Sequence, residues 1–558
     1  MFNRTVVVLV CGFLSLVGIK ESLPQALSPH ADIVITNAKI LQADQSFVSA
    51  IAIYQQKILA LGTNEQIASY IGPSTQTIHA EGKLIIPGLI DSHMHAIRAG
   101  LTYQHEVNWL GVRTKEEALY RIREAADKKP LGEWIVIAGG WVPEQFQDGA
   151  IPSPKELVIA SKGHPLYLQK LYSSVFISPE GINKLGLTKH AELLSRLDIV
   201  LDSNGHATGW MSGNARTISD LFDLLPGPTP SEQNDSLKAF FKTLNHMGIT
   251  GLYDPGGYNF PIESYKIFWN IHAKKELTLR VAYSLSAPKR GTELADFKKL
   301  ITTLPTNDAL LQWNGIGENI TWGMYNNDSP TAEDQKHLQD VLEWAAKENL
   351  TVTLHWNNKE SIAKLFEVIE AVQASYSIKD LRWSIAHINN IDQTSLLRMK
   401  KNHIGWLAQD ALYFQALQFE EKYGKISLSY SPLLREAINL NVPLGFGTDA
   451  HRVMDFNPFV ALQWLITGKS IDGKEGRTME HLLTPYEAID LYTKGSAYFL
   501  PDADLRGELS VGKYADLAIL DKNLFTVPSN QIHTIRSELT MVGGKVVFTA
   551  GPFTYNRP

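Results

Sequence analysis

Short apolar runs alternate with amphipathic, helix-length stretches at intervals of roughly 30 to 40 residues, and that rhythm constrains this chain most, because it belongs to parallel βα units. The runs are GITGLYD (248–254), LTLRVAYSLS (277–286), GIGENITWG (315–323), LTVTLHW (350–356), LRWSIAH (381–387), GWLAQD (405–410) and VPLGFGTDA (442–450). Stretches such as AEDQKHLQDVLEWAAKEN and KESIAKLFEVIEAVQAS lie between them. With KLIIPGLIDSHMH as a first strand, there are enough units to close a (β/α)8 TIM-like barrel.

Other segments fall outside this rhythm. ADIVITNAKIL, SAIAIYQQKILALG and QTIHAEGKLII precede the barrel, and GELSVGKYADLAILDKNLF and LTMVGGKVVFTAG follow it, all reading as short strands with turn signals. We read them as one composite β-sandwich built from both chain ends, residues 31–87 and 481–558, the latter including the last helix. The barrel then spans 88–480, with an insertion at about 100–240 that is too long for one crossover.

In such a barrel the strands present chemistry at their C-terminal ends. The first offers His93 and His95, and the others offer Glu318, His355, His387 and Asp449. In an extended segment residues i and i+2 share a face, so both imidazoles of HMH project together. Taken singly, His355 and His387 are as readily hydrogen-bonded strand-end histidines, Glu318 a solvated charge, and Asp449 a turn or cap aspartate. Six such residues at five strand ends argue for a shared divalent metal, zinc by the chemistry of four imidazoles and two carboxylates, as one or two ions.

These motifs, GLIDSHMH, TLHW, IAHINNID and GFGTDAH, flanked by GELSVGKYADLAIL and MVGGKVVF, resemble the amidohydrolase superfamily, specifically the amidohydrolase 3 group that resembles N-substituted formamide deformylase. The resemblance runs from Ala31 to near the C-terminus. It implies a metal-dependent hydrolase barrel with a composite sandwich and one or two metals. The sequence departs from the group twice. Many relatives carry a carboxylated lysine on the fourth strand where this chain has Glu318, and LYSSVFIS replaces a Gly-His and following Asn in the insertion.

The expected reaction is hydrolysis of a non-peptide C–N bond, an amide, N-acyl or N-formyl group, by metal-activated hydroxide. Asp449 is the expected acid-base residue. Tyr172, His206 and Trp141 are the substrate-contact candidates from the insertion. A deaminase of the superfamily would normally place a glutamate three residues after the fifth-strand histidine, whereas Glu360 lies five after His355. Lactone or phosphotriester hydrolysis uses much the same site, and a non-catalytic secreted metal-binding protein would have lost Asp449.

Composition narrows the partners. A net charge of -6 over 558 residues gives no basic footprint for nucleic acid, which leaves a small molecule as the expected substrate. A homo-oligomer is compatible with all of this. One arginine followed by an apolar run from Thr5 to about Ile19 reads as a secretory signal over residues 1–26, ending near Ala26. The expected location is periplasmic or secreted, without stable membrane insertion unless the signal stays uncleaved. The single cysteine, Cys11, lies inside that segment, so no thiol ligands are expected.

Overall fold

A computed structural model describes residues 30–147, 149–257, 260–325 and 329–553. The expected signal segment lies outside the described residues. Among these residues no helix is long and apolar enough to cross a membrane.

Eight parallel strands carry the rhythm seen in the sequence. β1 (Leu89–Asp91), β2 (Ile249–Asp254), β3 (Arg280–Leu285) and β4 (Leu311–Ile316) pair in chain order. β5 (Thr353–Trp356), β6 (Ser384–His387), β7 (Gly405–Gln409) and β8 (Leu444–Gly447) do the same. The two sheets meet at both seams. A parallel bridge joins Ile316 to Val352, just ahead of β5. On the other side the Ser92 amide donates to Phe446 O at 3.2 Å and the Asp449 amide to His93 O at 2.8 Å, tying β8 to β1. All eight strands therefore open their C-terminal ends on one face.

The burial of these strands explains their composition. Every residue of ITGLYD, RVAYSL and GWLAQ is buried, as expected for parallel strands covered on both sides. The helices cover them by one apolar stripe. In α2 (Ala332–Lys347) Leu338, Val341, Leu342 and Ala345 face inward, and Thr331 with Asp334 forms a reciprocal cap at its start. An earlier helix, α1 (Ala96–Thr102), leaves β1 directly. Where β8 backs onto β1, Gly447 is required: a Cβ there would lie 2.5 Å from both Asp91 Oδ1 and the His93 amide.

Between α1 and β2 stands a five-stranded sheet ordered Asp198–Leu201, Ala207–Ser212, Ser174–Ile177, Leu166–Lys170 and Ile135–Ile137. It has its own cores, one around Trp109, Trp141 and Phe146. The chain ends form a four-stranded and a six-stranded sheet, and in the latter Leu517–Leu520 runs antiparallel to Leu84–Pro87. Ile33, Ile51 and Ile78 from the first sheet pack with Ile85, Leu517 and Met541 from the second.

A buried ion pair pins these sheets to the eight-stranded ring. Arg280, opening β3, donates from Nε and Nη2 to Asp516 at 2.7 and 3.0 Å, and Asp516 also accepts from the Gly543 amide at 2.7 Å. Asp516→Ala would strand a guanidinium that is fully buried. The expected cost is about 3–5 kcal/mol, read as a lower midpoint in chemical denaturation; an unchanged midpoint would contradict the pinning role.

Candidate active site

All six strand-end residues nominated from the sequence meet in one cluster. His93 and His95 lie just past β1, which ends at Asp91, so they project from the turn into α1 and not from the strand itself. Their rings stand edge to face, 5.3 Å apart. Glu318 lies two residues beyond β4, while GIGENITWG as a whole was expected to be the strand; the strand runs earlier, from Leu311 to Ile316. His355 is inside β5, His387 ends β6, and Asp449 lies two residues past β8.

Glu318 sits among the histidines. Its Oε2 is 2.9 Å from His355 Nδ1, 3.0 Å from His387 Nε2 and 3.4 Å from His93 Nε2, while Oε1 faces His95 Nε2 at 3.6 Å. Asp449 Oδ1 lies 3.0 Å from His95 Nε2 and 3.6 Å from His93 Nε2. Two overlapping groups result, each with its ligand atoms within 4.8 Å of one another: His93, His95 and Asp449, and His93, Glu318 and His387.

The donor set fits a divalent ion, and His93 gives the clearest sign of it. Both its ring nitrogens are buried and neither has a hydrogen-bond partner among the described residues, a cost that a ligating role removes. Burial pushes His93 down to about 3, and burial likewise lowers His355 despite the nearby Glu318 charge, shifts toward the neutral form that a ligand needs. The outer nitrogens of two other rings are held by neighbours. His95 Nδ1 pairs with Gly256 O at 2.7 Å and His387 Nδ1 with the Gln409 side-chain oxygen at 3.0 Å. Each such bond places the proton on Nδ1 and turns Nε2 toward the carboxylates.

The carboxylates are poised as anions. Burial works against the charge of Glu318, but His355, His387 and His93 outweigh it and hold the group well below its ordinary range. For Asp449, burial is outweighed by the His95 hydrogen bond and the His387 and His95 charges, which bring it to about 2. A deeper carboxylate fixes the turn. Asp91 accepts from Thr448 Oγ1 at 2.7 Å and from the His93 amide at 3.0 Å, and burial pushes it up to about 7.

The same interactions predict how metal binding responds to pH. Burial opposes protonation of His95 and His387, yet Asp449 and Glu318 raise both above the ordinary 6.5. Protons on these rings must leave before the rings ligate, so affinity is expected to rise with pH, by about tenfold per unit for each proton displaced. Competition with a chromogenic chelator across pH measures this, and a pH-independent affinity would contradict it.

A cavity of about 1330 Å³ opens onto the cluster and is lined by His95, Glu318, His355 and Asp449 together with residues of the insertion. Tyr172 lines it; the other two substrate-contact candidates do not. Trp141 is packed between Trp109 and Phe146 with its Nε1 donating to Gln169 O, because a large apolar ring completes the insertion's core. His206 occupies the exposed turn before Ala207–Ser212, 3.6 Å from Asp202. Sequence reasoning missed Arg98, Gln409 and Tyr325, whose ring stacks on His355 at 4.3 Å. Of these, only Gln409 carried a signal, as the polar end of the strand GWLAQ.

The amidohydrolase family model matches residues 76–548. The chain belongs to the amidohydrolase family. This amidohydrolase is 26% identical to Protein LONG AFTER FAR-RED 3 of Arabidopsis thaliana, over 95% of this chain and 93% of that one. It is 20% identical to N-substituted formamide deformylase of Arthrobacter pascens, over 92% and 97%. Among solved structures, an uncharacterized metal-dependent hydrolase from Pyrococcus horikoshii superimposes with a TM-score of 0.64 at 18% identity, covering 89% of this chain and 99% of that one. Atrazine chlorohydrolase TrzN from Arthrobacter aurescens in complex with zinc gives 0.52 at 15%, covering 93% and 95%. These likenesses support a metal-dependent hydrolase fold.

Proposed function

We propose that this amidohydrolase cleaves a non-peptide C–N bond, an amide, N-acyl or N-formyl group, at the His93–His95–Glu318–His355–His387–Asp449 cluster. The observation that carries the reading is Asp449, an ionised carboxylate 3.0 Å from His95 and lining the cavity. The reading takes the eight-stranded ring as a (β/α)8 barrel of the metal-dependent hydrolase type and the flanking sheets as one composite sandwich. It also takes the apolar N-terminus as an export signal.

His93, His95 and Asp449 would hold one divalent ion, and His355 and His387 a second, with the two oxygens of Glu318 turned to both groups. Such an ion, zinc by ligand chemistry, supplies Lewis acidity, lowering the pKa of water toward ~7 and polarising a carbonyl. The protein's own residues do the rest. Asp449 accepts a proton from the attacking water and returns it to the departing amine. Gln409 and the Gly256 carbonyl keep the imidazoles of His387 and His95 in the tautomer that leaves Nε2 free. The walls above the site confine the substrate against the cluster.

The test uses the full chain, stripped with a chelator and reloaded with zinc, against N-formyl and N-acetyl amines, lactones and phosphotriesters. Amine release that disappears on stripping and returns on loading is expected. Zinc-dependent turnover confined to lactones or phosphotriesters would overturn the amide reading.

A further inference from the structure

Among the described residues, the cavity is lined by a cation that no carboxylate contacts directly. Arg98 follows His95 by three residues, so the first turn of α1 places both on one side of the helix. It lines the cavity with Glu318 and Asp449. Its guanidinium lies over two rings, 5.5 Å from the centroid of Tyr172 and 5.5 Å from that of Phe260. Among the described residues no carboxylate is within ion-pair distance of it, whereas Arg452 of the same cavity is committed to Glu106 at 3.3 Å and Thr102 at 2.9 Å. Glu318 and Asp449 reach Arg98 only at longer range and are engaged by the histidines.

A half-buried guanidinium that faces a cavity with no carboxylate in contact keeps its donors available to an incoming anion. A planar, five-donor cation steadied by two aromatic rings matches a carboxylate, which it can grip with two parallel hydrogen bonds. From this geometry we infer that Arg98, steadied by Tyr172 and Phe260, anchors a carboxylate of the substrate, which makes the preferred substrates N-acyl amino acids or similar amides with a carboxylate close to the scissile bond. The inference rests on the proposed hydrolase reading, since it presumes the amide lies at the cluster. Arg98 is a binding residue in this account and takes no part in proton transfer.

A matched pair of metal-seeking probes tests this without knowledge of the natural substrate: the monohydroxamate of succinic acid and its carboxamide counterpart, titrated calorimetrically into the zinc-loaded full chain. Wild type is expected to bind the carboxylate probe about tenfold to a hundredfold more tightly, the range of a charge-assisted bidentate contact. In Arg98→Met that preference should collapse to within about threefold, with the carboxamide probe bound as in wild type, while Arg98→Lys keeps part of it. Equal preference in wild type and Arg98→Met, or none in wild type, with both probes still binding, overturns the anchor and leaves the hydrolase reading standing. Failure of both probes to bind wild type of confirmed zinc content overturns both. If Arg98→Met does not fold, Arg98→Lys carries the test: an undiminished preference there counts against a bidentate anchor.

Discussion

Asp449→Asn is expected to lower kcat on an amide substrate by about 10²- to 10⁴-fold, the range of lost general acid-base catalysis. Asparagine keeps the size of the side chain and can still meet His95 through its carbonyl oxygen, so bound zinc should change far less than turnover. What it loses is the ability to take a proton from water and deliver it to the leaving amine. Steady-state kinetics paired with zinc content on the same preparation separates these effects. A variant that keeps its zinc and loses less than about threefold in kcat would remove Asp449 from the chemistry.

Glu318→Ala should act on the metal itself. Among the described residues, Glu318 is the one carboxylate within 3.0 Å of both His355 and His387, and its other oxygen turns toward His95. Without it the four imidazoles keep a single anion, Asp449, and cations brought close together would repel one another unscreened. Equilibrium dialysis followed by elemental analysis is expected to show about two zinc equivalents in wild type and one or fewer in the variant, as for other paired-metal sites. The remaining ion should dissociate more readily too, by about tenfold or more. Equal zinc content in both proteins would place Glu318 outside the ligand set.

The cluster was readable in the sequence because each strand of a parallel ring delivers its last residues to one face, so apolar runs ending in His355, His387 and Asp449 point to one place. Glu318 was nominated by the same logic even though β4 stops two residues earlier, since the turn beyond a strand still faces the same opening. The cavity walls were not readable in that way. Tyr172 earns its position from Arg98 and Phe260, residues on three separate segments that no local spacing brings together. Trp141 and His206 were nominated by residue type, and type does not tell a ring completing the core of the insertion from one lining its mouth. The joining of both chain ends was legible because Leu84–Pro87 and Leu517–Leu520 carry matching apolar strand patterns. The five-stranded sheet of the insertion was not, as its strands are short and mix parallel with antiparallel neighbours.

The central claim is that these four histidines and two carboxylates hold catalytic metal. X-ray absorption at the zinc edge of the zinc-loaded full chain tests it most directly. The account predicts a shell of nitrogen and oxygen only, with bonds of about 2.0–2.2 Å and strong imidazole scattering, and a metal–metal distance of about 3.5–4 Å where both sites fill. A zinc spectrum made of water oxygens without imidazole scattering would contradict it.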